Sequence, residues 1–238
     1  MALPIISGTP QLDDQIGASI PVPLETGDHL CQKEFHARYE MMRTETKAEL
    51  IGGIVYIHAA LRRSHGRAHS LLMRWLGCYE DATPGVEACD NATTIMSDDS
   101  EPQPDACLII APDRGGQIQF TDDDYLKGAP ELVAEIASST ESFDLHAKKQ
   151  TYQRAGVKEY LVVVLRQQKI FWFANRNNAF EEMSLEPDGN FHSQVFPGLW
   201  LDPRALIALD RIQLLHVLKM GLCDQAHSDF VGRLNSHR

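Results

Sequence analysis

The sequence contains no long apolar segment. No uninterrupted apolar run exceeds six residues, the length of Tyr160–Leu165. A transmembrane helix needs about 20 such residues, so we expect no membrane span. Residues 1–14 also lack a basic stretch ahead of an apolar run, which a secretory signal peptide would have. Together these absences favour a cytoplasmic protein.

Cysteine is scarce, and no two of the five cysteines have the CxxC spacing. A disulfide framework and a cysteine zinc site are both disfavoured, and we expect reduced, mostly buried cysteines. The motifs GxGxxG, GxxxxGK[ST] and GxSxG are absent. Their absence removes the common nucleotide-binding and serine-hydrolase interpretations.

Positive charge is missing from two long segments. The first 32 residues contain no Lys or Arg, and no basic residue stands between Arg74 and Arg114. The net charge of −11 argues against a protein that simply coats nucleic acid, because such proteins are basic. Basic residues gather at 62–74 and 148–158. These segments could line a cleft of mixed polarity, or they could be solvated helix faces.

Hydrophobic periodicity predicts a mixed α/β fold rather than a repeating βαβ unit. Helices are predicted at 34–44, 65–80, 139–155, 203–220 and 224–234, and strands at 86–95, 105–111, 131–138, 159–165 and 169–174, with a hairpin around Gly52-Gly53. The predicted 65–80 helix has an apolar face formed by Leu72, Trp75, Leu76 and Tyr79. Phe171, Trp172 and Phe173 are interpreted as core rather than as a base-stacking platform.

Two acids occupy apolar strands. Asp105 opens one predicted strand and Glu135 lies in the middle of another, on the same face as Val133. A carboxylate in such a strand is costly unless it is paired or binds a cation. Glu135 is therefore either half of a buried ion pair, with Lys148 or Arg154, or a metal-binding or acid–base group.

Lys148 and Tyr152 stand four residues apart on a predicted helix and so share one face. We expect Lys148 to point inward toward Glu135 and its neighbour Lys149 to point to solvent. His65 and His69 have the same spacing, but no third ligand for zinc stands at a fixed distance.

Several segments resemble, in order, the Uma-type family of putative restriction endonucleases, within the PD-(D/E)XK nuclease superfamily. They are AELIGGIVY (48–56), Ser64-His65-Gly66, Pro104-Asp105, GAPELVAEIASST (128–140), KKQTYQRAGVKEYLVVV (148–164) and FPGLWLD (196–202). The resemblance implies a restriction-endonuclease-like core over residues 31–204, with a mixed central sheet flanked by helices. An irregular N-terminal arm (1–30) and a C-terminal helical tail (205–238) lie outside it.

The resemblance also implies a set of site residues. Asp105 matches the PD aspartate and Glu135 the acid of (D/E)XK, whereas Ala137 stands where that motif has lysine. Lys148 on the following helix takes the place of that lysine, and Glu49 of the hairpin would complete the site. Val163-Val164-Leu165 departs from the family's V-D-P, so one strand-end acid is missing.

The implied activity is hydrolysis of phosphodiester bonds in DNA, dependent on Mg²⁺, for which Mn²⁺ would substitute. Asp105, Glu135 and the carbonyl of Ile136 would hold the ion. His65, Arg62, Arg63 and Tyr152 are the expected substrate contacts. A homodimer is the expected binding unit, because one basic surface is small. The alternative is a degenerate nuclease fold that binds nucleic acid or a protein without cleavage.

Overall fold

The computed structural model describes residues 22–42 and 46–236. Its helices are α1 Gln32–Tyr39, α2 Arg63–Ala82, α3 Glu141–Phe143, α4 Lys149–Ala155, α5 Pro203–Ala208, α6 Arg211–Leu222 and α7 Gln225–Ser236. A π-helical turn, Asp144–Lys148, joins α3 to α4, and a 3₁₀ turn spans Pro112–Arg114. No helix in the described ranges is long and apolar enough to cross a membrane.

The strands form one central sheet and three small ones. They are β1 Ala48–Ile51, β2 Ile54–Ile57, β3 Val86–Asp90, β4 Thr94–Ile95, β5 Ala106–Ile110, β6 Gln119–Phe120, β7 Leu126–Lys127, β8 Leu132–Ala137, β9 Glu159–Val164, β10 Lys169–Arg176, β11 Ala179–Glu182, β12 Phe191–His192 and β13 Trp200–Leu201. The central sheet has the order β11-β10-β9-β8-β5-β3, in which only β8 and β9 run parallel. The helical segment 141–155 connects this parallel pair, since parallel strands need a crossover.

Helices cover both faces of the central sheet, which explains why its inner strands are apolar throughout. On one face, Trp75 of α2 packs with Leu108, Leu161 and Leu214 in a cluster that α6 and α7 complete. On the other face, Tyr152 of α4 packs with residues of β8 and β9. The predicted mixed sheet flanked by helices is therefore confirmed.

The β1–β2 hairpin forms a separate layer beside the sheet. Gly52 and Gly53 both have positive φ, at 59° and 78°, as a two-residue hairpin turn with the right twist requires. Leu50 of β1 donates its N–H to the carbonyl of Glu101, which docks the hairpin on the segment that leads into β5. Phe35 of α1 and Leu24 fill the space behind it. This docking carries Glu49 toward the end of the central sheet.

Most of the predicted elements are present, with local differences. The four residues of the apolar face of α2 are buried, as are Trp172 and Phe173, whereas Phe171 is only half-buried. The predicted strand at 86–95 is interrupted at Asn91, whose φ of 51° turns the chain between β3 and β4. The helix predicted at 34–44 ends at Tyr39.

Cysteine burial was predicted wrongly. All five cysteines are free, as expected, but only Cys107 is buried, while Cys31 and Cys223 are exposed. Cys107 lies on an inner strand, whereas Cys31 and Cys223 flank helix ends at the surface. The prediction for residues 1–21 of the N-terminal arm lies outside the described residues, and its division from the domain stays a prediction, as does that of the C-terminal tail.

Truncation of Leu72 should destabilise the fold strongly. The side chain is fully buried in α2, so Leu72→Ala should lower the free energy of unfolding by about 2–5 kcal/mol. Leu61→Ala is the control, because Leu61 is 63% exposed. Urea denaturation followed by circular dichroism measures both. Equal losses would contradict the assignment of α2 to the core.

Candidate active site

A cleft of about 360 Å³ opens at the end of the central sheet where β5 and β8 stop pairing. Its walls come from the segment after β2, the first turn of α2, the two strand ends and the helical segment that follows β8. Its ionisable lining residues are Lys47, His58, His65, Asp105, Glu135, Asp144 and Lys148. The cleft therefore gathers charged groups that lie far apart in the sequence.

Strand register brings the two strand acids together. Ala106 pairs with Ala134 in the antiparallel β5–β8 ladder, so the next position outward places Asp105 opposite Glu135. The backbone N–H of Asp105 lies 3.4 Å from Oε2 of Glu135, and Oδ2 of Asp105 accepts the N–H of Ile136 at 2.8 Å. The two carboxyl groups thus face one opening, as expected for cross-strand neighbours.

Lys148 lies buried between two glutamates. Its Nζ is 2.8 Å from Oε1 of Glu135 and 2.9 Å from Oε2 of Glu49. The hydroxyl of Tyr152 donates to the same Oε1 of Glu135 at 2.6 Å. The inward direction predicted for Lys148 is confirmed. Of the two interpretations of Glu135, the structure shows the buried ion pair, and its partner is Lys148 rather than Arg154.

Lys149 does not point to free solvent as predicted. The side chain is half-buried, and its Nζ lies 3.6 Å from the centre of the Phe173 ring. Lys149 therefore makes a cation–π contact with β10 of the central sheet. It remains outside the cleft, so the two adjacent lysines occupy different environments.

Glu49 is enclosed by hydrogen-bond donors. Oε1 accepts the N–H of Gln103 at 2.6 Å and a hydrogen bond from Nζ of Lys148 at 3.1 Å, and Oε2 accepts from Nε2 of His58. Both oxygens are engaged and the residue is fully buried. Tyr152 is equally buried. The predicted catalytic role of Glu49 and the predicted substrate contact of Tyr152 stay predictions, and the geometry gives each a direct contact to the Lys148–Glu135 pair.

Two histidines of α2 hold Asp105. Nε2–H of His65 donates to Oδ2 of Asp105 at 3.1 Å, and Nε2–H of His69 donates to the backbone oxygen of Asp105 at 2.8 Å. Nδ1 of His65 is buried and has no hydrogen-bond partner among the described residues. Their i, i+4 spacing thus serves to fix the aspartate from one helix face.

Burial and charge act on the carboxyl groups in opposite directions. For Glu49, Lys148 and His58 outweigh burial and hold its pKa well below the usual range. For Asp105, the hydrogen bond and charge of His65 outweigh burial, so its pKa is also lowered. Burial, reinforced by the charges of Asp105 and other neighbouring carboxylates, raises the pKa of Glu135 to about 8 despite Lys148. These glutamates keep the pKa of Lys148 above its usual value against burial, so the amine stays charged.

Asp144 and Lys47 also line the cleft, and the sequence interpretation missed both. Asp144 is buried, accepts a hydrogen bond from the hydroxyl of Thr140 at 2.6 Å, and has its pKa raised to about 6, mainly by burial. Its spacing of four residues before Lys148 could have identified it, because that spacing shares a helix face. Lys47 directly precedes the predicted hairpin and adds positive charge that lowers the pKa values of Asp105 and Glu49.

Arg62 and Arg63 lie outside this cleft. Arg62 lines an adjoining groove together with Ser139, and Arg63 occupies the outer face of α2. Both side chains are exposed. Their predicted role in substrate binding stays a prediction. Glu131, at the far end of β8, is buried and accepts N–H groups of Ile110 and Gln117.

Residues 32–204 match the sequence model of a family described as "Uma2: Putative restriction endonuclease". The chain belongs to the Uma2 family. A crystal structure of a putative nuclease belonging to DUF820, from Anabaena variabilis ATCC 29413, shares the fold with a TM-score of 0.57. It is 16% identical, and the alignment covers 75% of this chain and 98% of that chain. No curated protein matches the chain. The predicted family resemblance and fold class are confirmed.

The Uma2 chain carries no lysine on strand β8 itself. Ala137 occupies the position where (D/E)XK has one, and it is buried on the same face as Glu135. Lys148 reaches Glu135 from the helix instead. Val164, near the strand end that lacks the family's acid, is fully buried, so no carboxylate from that position reaches the cleft.

The Uma2 cleft offers oxygen ligands suited to a hard divalent cation. Within residues 22–42 and 46–236, no three His, Cys, Asp or Glu side chains form a metal cage. Mg²⁺ needs none, since it binds through one or two carboxylates and keeps several waters. Asp105 and Glu135 provide two carboxylates, and the carbonyl of Ile136 points to the same side of β8 as its N–H, toward Asp105. Four acidic residues are buried in and behind the cleft, and Lys148 contacts two of them, so a cation would offset excess negative charge. The four acidic residues are Glu49, Asp105, Glu135 and Asp144.

The raised pKa of Glu135 predicts a pH-dependent stability. The folded protein keeps a proton on Glu135 up to a pKa of about 8, whereas the unfolded chain releases it near 4.5. That stabilisation is complete below the unfolded value and is lost as the pH rises through 8. In EDTA, the wild type should lose about 1 kcal/mol of unfolding free energy through this group between pH 7 and pH 9.

Glu135→Gln should remove this loss, because glutamine does not titrate. Glu87→Gln, at an exposed position on β3, controls for the removal of one acid. Urea titrations at both pH values supply the free energies. If Glu135→Gln and Glu87→Gln keep the same pH dependence, Glu135 does not carry the proton.

Proposed function

We propose that this protein is a divalent-metal-dependent endonuclease that hydrolyses phosphodiester bonds of DNA, with Mg²⁺ as its ion and Mn²⁺ as a substitute. One observation carries the proposal: Asp105, Glu135 and Lys148 come from three separate elements yet meet in one cleft, with Lys148 2.8 Å from Glu135. Two carboxylates and an amine in this arrangement match the chemistry that phosphodiester hydrolysis requires. Membership of the Uma2 family supports the same reaction class.

Asp105 and Glu135, with the carbonyl of Ile136, would hold the ion. The bound ion would lower the pKa of a coordinated water and polarise the scissile phosphate. His65 holds the Asp105 carboxylate in place through a hydrogen bond of 3.1 Å. In the free protein the ammonium of Lys148 favours the ionised form of Glu135, which burial disfavours. When the phosphate enters, the same fixed ammonium offsets charge on it.

Glu49 and Tyr152 act as positioning residues in this proposal. Glu49 holds the ammonium of Lys148 at 2.9 Å, and Tyr152 donates to the carboxylate of Glu135. Both are fully buried, which fixes the Lys148–Glu135 pair before substrate arrives. A group held in advance loses little freedom at the moment of reaction, which is the condition for effective electrostatic stabilisation.

Cleavage of plasmid DNA tests the proposal directly. Wild-type protein with Mn²⁺ or Mg²⁺ should convert supercoiled plasmid to open-circular and linear forms. Asp105→Ala should lower the rate at least about 100-fold, since a metal ligand is lost, and EDTA should abolish the reaction. Full activity of Asp105→Ala, or activity in EDTA, would refute metal-dependent cleavage at this cleft.

The two adjacent lysines give a matched pair of variants. Lys148→Ala should abolish cleavage, whereas Lys149→Ala should retain a rate within about threefold of wild type, because Lys149 contacts Phe173 outside the cleft. Lys148→Ala also leaves Glu49 buried without its cation, a change that costs about 3–5 kcal/mol. Lys148→Arg keeps the charge, and circular dichroism at the assay temperature identifies the folded variants. Equal activities of Lys148→Ala and Lys149→Ala would contradict the role of Lys148.

A second candidate is a nuclease fold that binds DNA without cleaving it. It is favoured by the pairing of Lys148 with Glu135, which already satisfies both groups without a metal ion. The Val163-Val164-Leu165 sequence also lacks the family's strand-end acid. The plasmid assay separates the two candidates: DNA binding by wild-type protein with no cleavage in either metal would select this alternative.

A further inference from the structure

A groove lined by arginines lies beside α2, outside the candidate active site. It has a volume of about 580 Å³ and runs between α2 and the start of α6. Its basic residues are Arg63, Arg67 and Arg74 of α2 and Arg211 of α6. We call this surface the arginine groove. The net charge of the chain is −11, so four arginines on one concave surface stand against the overall composition.

The three α2 arginines lie on one helix face. Arg67 is four residues after Arg63, and Arg74 is seven further on, so all three fall within a narrow angular range. The opposite face of α2 carries Leu72 and Trp75, both fully buried. Core packing therefore leaves these arginines no inward direction, and they project into the groove or to solvent.

None of the four guanidinium groups has a carboxylate within 4 Å in residues 22–42 and 46–236. Asp210 is next to Arg211 in sequence. Its Oδ1 accepts the N–H groups of the second and third residues of α6 at 3.1 Å each. This neighbouring aspartate thus caps the helix instead of pairing with the arginine. The groove keeps a positive charge that an anion could neutralise.

Helix electrostatics makes this placement unfavourable in the free protein. Arg63 is the first residue of α2 and Arg211 the first of α6, so both stand at the positive ends of helix dipoles. The first turn of α2 has no acid, and Arg62 makes no side-chain cap. A bound anion would reduce two repulsions at once: the one among the arginines, and the one between each terminal arginine and the positive end of its helix dipole.

The groove starts at the N-terminal end of α2. His65, which lines the cleft, is two residues after Arg63 on the same helix. Arg74 stands eleven residues after Arg63 on the helix, a rise of about 16 Å at 1.5 Å per residue. Phosphates of one strand of a duplex recur about every 3.4 Å along the axis, so this length spans several of them. The planar guanidinium group also matches the oxygens of a phosphate.

We propose that the arginine groove binds the phosphodiester backbone of a nucleic acid that continues outward from the cleft. This inference rests on the proposed endonuclease function, because the cleft and the groove would contact one polymer. It extends the predicted contacts at Arg62 and Arg63 to a defined surface with Arg67, Arg74 and Arg211. An acidic protein segment is the competing ligand, but the apolar part of the lining is limited to Leu71, which is buried, and Leu209, less than the apolar core of a protein interface usually has.

Fluorescence anisotropy with a labelled 20-base-pair duplex tests the groove. The double variant Arg67→Ala/Arg74→Ala is compared with Lys219→Ala/Arg233→Ala, which removes two exposed helical cations outside the groove. All titrations contain EDTA, so cleavage does not affect the readout. The groove variant should bind at least about tenfold more weakly, and its log–log salt slope should be lower by about 2, since each neutralised phosphate contributes about 0.9.

The outcomes separate the two proposals. Equal affinities and slopes for the two double variants would overturn the groove assignment even if the wild type cleaves plasmid. A loss of duplex affinity in the groove variant alone supports the assignment, even if the wild-type protein does not cleave plasmid. Arg211→Ala should give the same selective loss with a slope lower by about 1. A labelled polyglutamate peptide serves as the competing ligand. If it binds as tightly as the duplex, with the same dependence on Arg67 and Arg74, the ligand is acidic protein rather than nucleic acid, and the proposal is overturned.

Discussion

Lys148 lies buried between Glu49 and Glu135, and this ion cluster connects three parts of the fold. Glu49 comes from the β1–β2 hairpin, Glu135 from the central strand β8, and Lys148 from the helical crossover that follows it. Burial of each charge alone would cost several kcal/mol, so the cluster is stable only when all three elements dock together. The position of the hairpin, which docks through Leu50 on Glu101 in the segment that leads into β5, is thereby coupled to the geometry of the cleft.

The same cluster explains the charge imbalance around Asp105. Lys148 is held by Glu49 and Glu135, so the favourable charge at Asp105 comes from His65 and Lys47 instead. Asp105 accepts a hydrogen bond from His65, while Asp144 is buried with a raised pKa. Burial and its acidic neighbours raise the pKa of Glu135 to about 8. An excess of buried carboxyl groups at the end of apolar strands is a cost to folding, which a bound divalent cation would offset.

The sequence allowed the strand acids and the inward lysine to be predicted, because each follows from local periodicity. Asp105 and Glu135 interrupt apolar strands, and Lys148 shares a helix face with Tyr152. The register that sets Asp105 opposite Glu135 was not predictable from these patterns, since pairing between distant strands depends on tertiary packing. The cation–π contact of Lys149 was missed for the same reason, because Phe173 lies on another strand. Asp144 was not predicted, although its spacing of four residues before Lys148 places both on one helix face.

The central claim is that Asp105 and Glu135 bind one divalent cation beside Lys148. Anomalous diffraction from a crystal soaked in Mn²⁺ tests it most directly. The account predicts a single strong peak at about 2.0–2.5 Å from a carboxylate oxygen of Asp105 and one of Glu135, and no such peak in a crystal of Asp105→Asn. A cleft without anomalous density at saturating Mn²⁺, with Lys148 alone bridging Glu135 and Glu49, would contradict the account.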